Sequence, residues 1–381
     1  MTQQAPSQNR QRALLLLIIV LVGTGIYMAT GVDVLGIYTN EPQQEDISDS
    51  GEWWEVHFTL PQKRDSYEDL SDTVAAKLIE KINQAQQSIY IASFEFNLTP
   101  VAEALIAAKN RGVDIRWVTD DEHGLEADEE DGHGQFEMLE DAGIHVKDDA
   151  RSALMHNKFW IFDQQTVWTG STNITTNGVF RNNNNVIVLH SPRIAAMYQL
   201  EFDEMWQGEF GPRSPSTFEQ QQTNVNGTAV QIVFAAEDEA MQILTPLIDS
   251  TQQTIHFMAF AFTHDDLGNA MLSRAQAGVE VQGIFETRGS ETEFSEMAKL
   301  YCADVPVRQD GNPRTFHHKV IVIDGQLVIT GSLNFSNNAD DSNDENIILI
   351  RNAEIASLYL QEFNHRWNEA EAPDPEDLTC P

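Results

Sequence analysis

The chain predicts an α/β protein: two similar lobes, each a mixed, largely parallel sheet flanked by helices, related by a pseudo-two-fold axis and preceded by one N-terminal transmembrane helix. Three observations carry that expectation. A stretch from Val74, "VAAKLIEKINQAQQSIYIASFEFNLTPVAEALIAAKNRGVDIRWVTDD", is echoed from Met241 by "MQILTPLIDSTQQTIHFMAFAFTHDDLGNAMLSRAQAGVEVQGIFET". Both read as amphipathic helix, apolar strand, second helix, a short Gly-Val turn and another strand, the spacing of βαβ units. Near the start, Ala13 to Thr30 is free of charge.

That uncharged run has eighteen residues, about 27 Å of helix at 1.5 Å per residue, near the thickness of a bilayer core. Arg10 and Arg12 precede it, and Asp33, Glu41, Glu45 and Asp46 follow. The basic flank keeps residues 1–12 cytoplasmic, residues 13–31 form the anchor, and the bulk is exported. A cleaved signal segment, giving a secreted protein, is the competing reading, but the small-residue cleavage pattern is spoiled by Tyr27, two before Ala29. Residues 32–52 are a polar, acidic linker. The first repeat then spans 53–210 and the Pro-, Ser- and Gln-rich segment 211–227 joins it to the second, 228–370, leaving an acidic tail, 371–381.

With 381 residues there is room for a large core. Lysine and arginine number 23 against 59 acidic residues, a formal net charge of −36. Such a surface repels nucleic acid and anionic lipid alike, so any anionic substrate must be held by a small local cluster of cations. Cys302 and Cys380 are too few for a disulfide framework, and one bridge between them is open if the domain is exported.

The chemistry lies in a second repetition. "MHNKFWIFDQQTVWTGSTN" begins at Met155 and "FHHKVIVIDGQLVITGSLN" at Phe316. Each sets a histidine, a lysine two places on, an aspartate five further, and then Gly-Ser-x-Asn. Six fixed positions recur by chance at about 10⁻⁸ per starting point. On a strand, His156 and Lys158 face the same way, as do His317 and Lys319. Turns at Gln164-Gln165 and Asp324-Gly325 return the chain to Ser171 and Asn173, or Ser332 and Asn334, gathering imidazole, ammonium, hydroxyl and amide at one end. Lysines and amide or hydroxyl donors suit a phosphate. Two imidazoles across one phosphorus supply a nucleophile and an opposed proton donor, which is phosphodiester cleavage through a phosphohistidine with no metal and no cofactor.

Elsewhere the signals are bland. The lobe-one excess of five residues falls in the acidic loop 120–135, where His123, His133 and the carboxylates match no metal-ligand spacing and read as a solvated loop. Arg151, Arg181 and Arg314 lie near the motifs and read as surface partners for the many acids. Trp160, Trp168 and Phe180 read as core.

The duplicated His-x-Lys-x₄-Asp-x₆-Gly-Ser-x-Asn resembles the "HKD" motif of the phospholipase D superfamily, over about Trp53 to Asn368. The resemblance implies two α/β lobes with both motifs meeting at one site, active as a monomer because one chain holds both. It implies His156 and His317 as the catalytic pair, Lys158, Lys319, Asn173 and Asn334 as the phosphate clamp, and Ser171 and Ser332 in support. Asp163 and Asp324 point away from that face and are expected to be structural carboxylates. Family members commonly place a carboxylate on the histidine's other nitrogen. Counting on from each histidine, this gives Glu345 for His317 and an amide, Asn184, for His156. The expectation is that His156, kept neutral by Asn184, attacks while His317 on Glu345 gives its proton. The superfamily includes phospholipases, cardiolipin synthases and hydrolases, and Nuc-type endonucleases. One membrane span disfavours a synthase, which usually has two. A membrane-anchored phospholipid hydrolase is expected first, an exported nuclease second, and retention of both His-Lys-Asn sets argues against a scaffold with relic motifs.

Overall fold

A computed structural model describes residues 47, 49–61 and 69–380. The expected anchor, 13–31, and most of the linker lie outside them. No helix among the described residues is long and apolar enough to cross a membrane. Residues 46–381 form one compact unit containing both lobes.

Lobe one holds β1 (Asp49–Ser50), β2 (Trp54–Phe58), α1 (Val74–Gln84), β3 (Ser88–Ser93), α2 (Thr99–Asn110), β4 (Asp114–Thr119), α3 (Gln135–Asp141), β5 (His145–Asp148), β6 (Lys158–Phe162), β7 (Thr166–Gly170), α4 (Thr176–Phe180), β8 (Asn185–His190) and α5 (Pro192–Gln207). Lobe two holds β9 (Gln222–Val225), β10 (Thr228–Ala235), α6 (Ala240–Asp249), β11 (Thr254–Ala259), α7 (Asp265–Gln276), β12 (Glu280–Phe285), α8 (Glu296–Tyr301), β13 (Val307–Gln309), β14 (Lys319–Ile323), β15 (Leu327–Gly331), α9 (Asn337–Asp341), β16 (Glu345–Arg351) and α10 (Ala353–Glu369). The sheets run β1-β2-β8-β7-β6-β3-β4-β5 and β13-β12-β11-β14-β15-β16-β10-β9, the same order read from opposite ends.

The sheets are mixed, but they are not largely parallel. Only β3·β4·β5 and β11·β12·β13 pair in parallel, and the other junctions are antiparallel. Helical crossovers make parallel neighbours, and each lobe's crossovers end before its motif hairpin, which returns by a tight turn and so pairs antiparallel. β9, inside the segment expected to link the lobes, is the edge strand of the second sheet. The tail is likewise bound to its lobe: Gln309 pairs with Glu371, and Cys302 and Cys380 form a disulfide with Cα atoms 5.7 Å apart.

Helix starts follow their caps. Thr73 accepts from Ala76 N ahead of α1, Ser191 from Ile194 N ahead of α5, and Asn352 from Glu354 N and Ile355 N ahead of α10. Each sheet buries one face under its outer helices: β3, β4, α1 and α2 supply Ile91, Trp117, Leu78 and Leu105, and their counterparts supply Phe257, Leu244 and Met271. The inner faces share a third core with α5 and α10, joining Phe159, Tyr198 and Phe202 to Phe234, Val320 and Tyr359 across the lobes. Trp160, Trp168 and Phe180 are core residues, as expected. This continuous inner layer holds the two motif hairpins against each other.

Candidate active site

Each motif hairpin is tied at its far end by its aspartate. Asp163 accepts from the backbone N–H of Gln86, Gln87 and Ser88, at 2.7 Å from Gln87, and Asp324 from those of Gln252, Gln253 and Thr254, at 2.8 Å from Gln253. The turns are centred on Asp163-Gln164 and Asp324-Gly325, all at left-handed φ of 51° to 61°. In lobe one this is one residue earlier than expected, because the Asx carboxylate stabilises positive φ where a second glutamine does not.

At the near end, the glycine of Gly-Ser-x-Asn lets the return strand pass its neighbour. A Cβ on Gly170 would lie 2.3 Å from Asn185 O, and one on Gly331 2.1 Å from Asn346 O. The serines then bond locally: Ser171 Oγ accepts from Asn185 N at 3.1 Å and donates to Asn184 Oδ1 at 2.8 Å, and Ser332 Oγ accepts from Asn346 N at 2.9 Å.

The histidines take their partners from the opposite lobe. His156 N donates to Asp344 O and His317 N to Asn183 O, each at 2.9 Å, so each motif begins as a bridge to the other half. His156 Nδ1 lies 2.8 Å from both oxygens of Glu345. His317 Nδ1 lies 2.9 Å from Asn184 Oδ1 and 3.0 Å from Ser171 O. The expected pairing is therefore reversed: Glu345 serves His156, and Asn184 serves His317. Sequence distance puts each partner beside its own motif, but the partner sits at the start of β8 or β16, which faces across the interface. Both neighbours of His317 Nδ1 are acceptors, so that nitrogen carries the proton and Nε2 is the free atom.

All four motif side chains are recessed. His156 is 5% exposed, His317 8%, Lys158 2% and Lys319 1%. Lys158 Nζ donates to His156 O at 2.7 Å and lies 5.0 Å from the Phe94 ring centroid. Lys319 Nζ repeats this with His317 O at 3.1 Å and the Phe260 ring at 4.7 Å. The same rings pack against the imidazoles, Phe94 on His156 at 4.8 Å and Phe260 on His317 at 4.9 Å. Among the described residues no carboxylate oxygen is within ion-pair distance of either ammonium.

Burial pushes the Lys158 ammonium down to about 8, with Glu345 pulling the other way. It depresses Lys319 further, reinforced by the charge of Lys158. Both imidazoles are held well below the usual histidine range by burial and by both lysines. Burial pushes Glu345 up to about 8 against the pull of Lys158. These mutual effects and the crossed contacts of the histidines put the two motifs at one place, with both lysines buried there. The amides lie beside them: Asn173 Nδ2 donates to Glu95 Oε2 at 3.0 Å, while Asn173 Oδ1 and Asn334 Oδ1 are buried without a partner among the described residues.

Several contributors escaped the sequence reading. Phe94 and Phe260 occupy equivalent positions in "FEF" and "FAF", a match that aligning the repeats reveals. Asp120 and Glu286 brace the motifs from behind, accepting from Met155 N and Phe316 N. Nor is the loop 120–135 wholly solvated. Asp120 is 1% exposed, and His123 packs on Phe94 at 4.9 Å beside the site. Asp120, Asp121 and Asp149 bring oxygens within 4.8 Å of one another, but Asp120 and Asp149 are occupied by backbone N–H groups and Arg151. Arg151, expected at the surface, is held between Asp149 and Asp344.

Known proteins share this architecture. The family described as "Cardiolipin synthase, PLD-like domain" matches residues 78–206 and 244–367, one match per lobe. A phospholipase D of Rickettsia bellii is 34% identical over 145 residues, 38% of this chain and 72% of that one. A mitochondrial cardiolipin hydrolase of Xenopus tropicalis is 31% identical over 148 residues, 39% and 68% respectively. The solved phosphatidylserine synthase of Haemophilus influenzae shares the fold across 78% of this chain and 85% of its own, with TM-score 0.61 and 14% identity. With both of the family's motifs brought together where the lobes meet, this chain belongs to the phospholipase D superfamily and is a phosphodiesterase of that kind.

Proposed function

We propose that the protein is a membrane-anchored hydrolase of phospholipid phosphodiesters, releasing phosphatidic acid and an alcohol through a phosphohistidine and without a metal. One observation carries the reading: two ammoniums, 2% and 1% exposed, have no ion-pair partner among the described residues. Buried unpaired cations are costly unless a bound anion compensates them. A phosphodiester supplies that anion, and an uncharged substrate does not.

In the proposed reaction Nε2 of His156 attacks phosphorus while its Nδ1–H donates to Glu345. The phosphohistidine is cationic; that charge favours the ionised form of Glu345 against the upward push of burial, and the carboxylate stabilises the intermediate in turn. His317 carries a second proton, on Nε2, once the bound diester offsets the charge of the two lysines, and it gives that proton to the leaving oxygen. A carboxylate there would oppose that transfer, whereas Asn184 and Ser171 O orient the ring without holding the charge. His317 then takes a proton from water, whose oxygen displaces His156. Lys158, Lys319 and the amides of Asn173 and Asn334 hold the phosphoryl oxygens.

Lipid is favoured over nucleic acid because the net charge of −36 opposes capture of a long polyanion, and because relatives bear the names phospholipase D and cardiolipin hydrolase. The Cys302–Cys380 bridge supports export to an oxidising compartment with the N-terminus left in the cytoplasm. The test is the full chain given cardiolipin or phosphatidylcholine vesicles beside plasmid DNA, with and without EDTA. Lipid turnover that survives EDTA is expected. Nicked plasmid with intact lipid would transfer the reading to a nuclease, and loss of activity in EDTA would overturn the metal-free chemistry.

A further inference from the structure

The two halves are near copies, but the rims around their histidines differ in charge. Thr315 O accepts from Asn183 N and Asn183 O from His317 N, each at 2.9 Å, so residues 181–183 and 312–317 form one ridge beside His317. Asn312 Nδ2 donates to Arg181 O at 3.0 Å along it. Arg288 reaches the same ridge, donating to Arg314 O and, at 2.7 Å, to Thr315 Oγ1, while its Nε donates to Glu286 Oε1 at 3.0 Å. Arg288 and Arg314 are exposed.

At the positions that the repeat makes equivalent, on the His156 side, the residues are Ser342 for Arg181, Glu122 for Arg288 and Ala153 for Arg314. Lobe one adds Glu95, bonded to Asn173 within the site, where lobe two has Ala261. The only arginine on that side, among the equivalent ridge residues, is Arg151, which Asp149 and Asp344 hold. In a protein with 15 arginines and 8 lysines, three arginines lie on or beside one ridge, one of them paired with Glu286, and a carboxylate takes the place of that one on the other side.

We propose that Arg181, Arg288 and Arg314 form a subsite for the leaving group, selecting phosphodiesters whose leaving alcohol bears its own phosphate and rejecting those whose leaving alcohol is a cation. The inference rests on the proposed function, in which His317 protonates the leaving oxygen. The P–O bond on that side breaks as the bond from His156 Nε2 to phosphorus forms, and the released alcohol lies along the arginine ridge. Choline and ethanolamine carry positive charge into it and are repelled. The phosphatidylglycerol released from cardiolipin carries a phosphate, as does the fragment released from an oligonucleotide; both present the same chemistry to arginine.

The experiment uses the full chain on mixed vesicles holding cardiolipin and phosphatidylcholine together, so that binding to the surface is common to both substrates. A short oligonucleotide and bis(p-nitrophenyl) phosphate are separate arms. The ratio of kcat/KM for cardiolipin over phosphatidylcholine should fall about tenfold in Arg288→Gln/Arg314→Gln and further in Arg314→Glu, with thermal melts confirming that both fold. Raised salt should lower the wild-type ratio and leave that of the variants nearly flat. A fall confined to the oligonucleotide, measured against the model diester, would support the subsite and identify its phosphate as that of nucleic acid. Active, folded variants with unmoved ratios on both phosphate-bearing substrates would overturn the subsite alone. A wild-type protein inactive on every diester would overturn the proposed function and the subsite with it.

Discussion

His156 and Glu345 are 189 residues apart and belong to different lobes, yet Nδ1 of the first lies 2.8 Å from both carboxylate oxygens of the second. The reciprocal contact, His317 to Asn184, replaces the carboxylate by an amide at 2.9 Å. The two histidines of a nearly symmetric molecule are thus chemically unlike. A quenched reaction should therefore carry its phosphoryl adduct on His156, detectable by peptide mapping under alkaline conditions. Glu345→Gln should lower kcat by about 10²-fold or more. An adduct on His317 would reverse the assignment.

The lysines make a prediction of opposite sign for stability and activity. Lys158 and Lys319 are buried with depressed pKa values and no ion-pair partner among the described residues. Lys158→Met removes the desolvated charge while keeping the aliphatic stem against Phe94. It should stabilise the fold by roughly 1–2 kcal/mol and reduce turnover at least about 10³-fold. A variant that loses both stability and activity would show that the ammonium is instead a structural donor to His156 O.

The motif aspartates should behave in the reverse way. Asp163 and Asp324 sit at the hairpin tips, each holding three successive backbone N–H groups that open β3 or β11. Asp324→Asn tolerates the left-handed φ of 51° but loses the charge. It should cost about 1 kcal/mol in denaturant unfolding and change kcat/KM by less than about threefold. A loss of activity as large as that of a histidine variant, in a folded protein, would give these carboxylates a chemical role.

The contrast between these residues explains how far the sequence could be read. Helices, strands and the duplicated hairpins follow from local periodicity, and the set His, Lys, Ser, Asn is legible because repetition singles it out. Strand direction was misread because the βαβ pattern covers three strands of eight in each sheet. Partner choice was misread for a related reason. Glu345 and Asn184 lie equally far along from their own motifs, and only the packing of the two inner faces decides that each crosses to the other. The arginine ridge was likewise hidden, since Arg181 meets Arg288 and Arg314 through Asn183 and Asn312, across 107 residues of chain or more.

The last prediction concerns a buried acid that the chemistry does not use. Glu362 in α10 is bonded to Arg366 Nε at 2.6 Å and His318 Nε2 at 3.3 Å. Its equivalent in α5, Glu201, is 3% exposed, and the positions of Arg366 and His318 are taken by Met205 and Asn157, which touch each other at 3.8 Å. Glu237, Asp344 and Glu204 lie close to Glu201. Burial and then the charge of Glu237 push Glu201 well above the usual carboxyl range, and burial takes Glu237 up to about 8. An acid whose folded pKa is raised binds more protons folded than unfolded, so its contribution is present in acid and is lost as pH rises from about 4.5 through about 8. Thermal stability should therefore decline between pH 5 and 8. Glu201→Gln removes one titrating acid from this buried group, and should flatten that decline by roughly 2 kcal/mol at the alkaline end. Repulsion from the net charge of −36 gives the same overall trend, so the measurement that decides is the difference between variant and wild type. If melts taken in parallel across that range keep the same slope, the buried pair is not protonated as described.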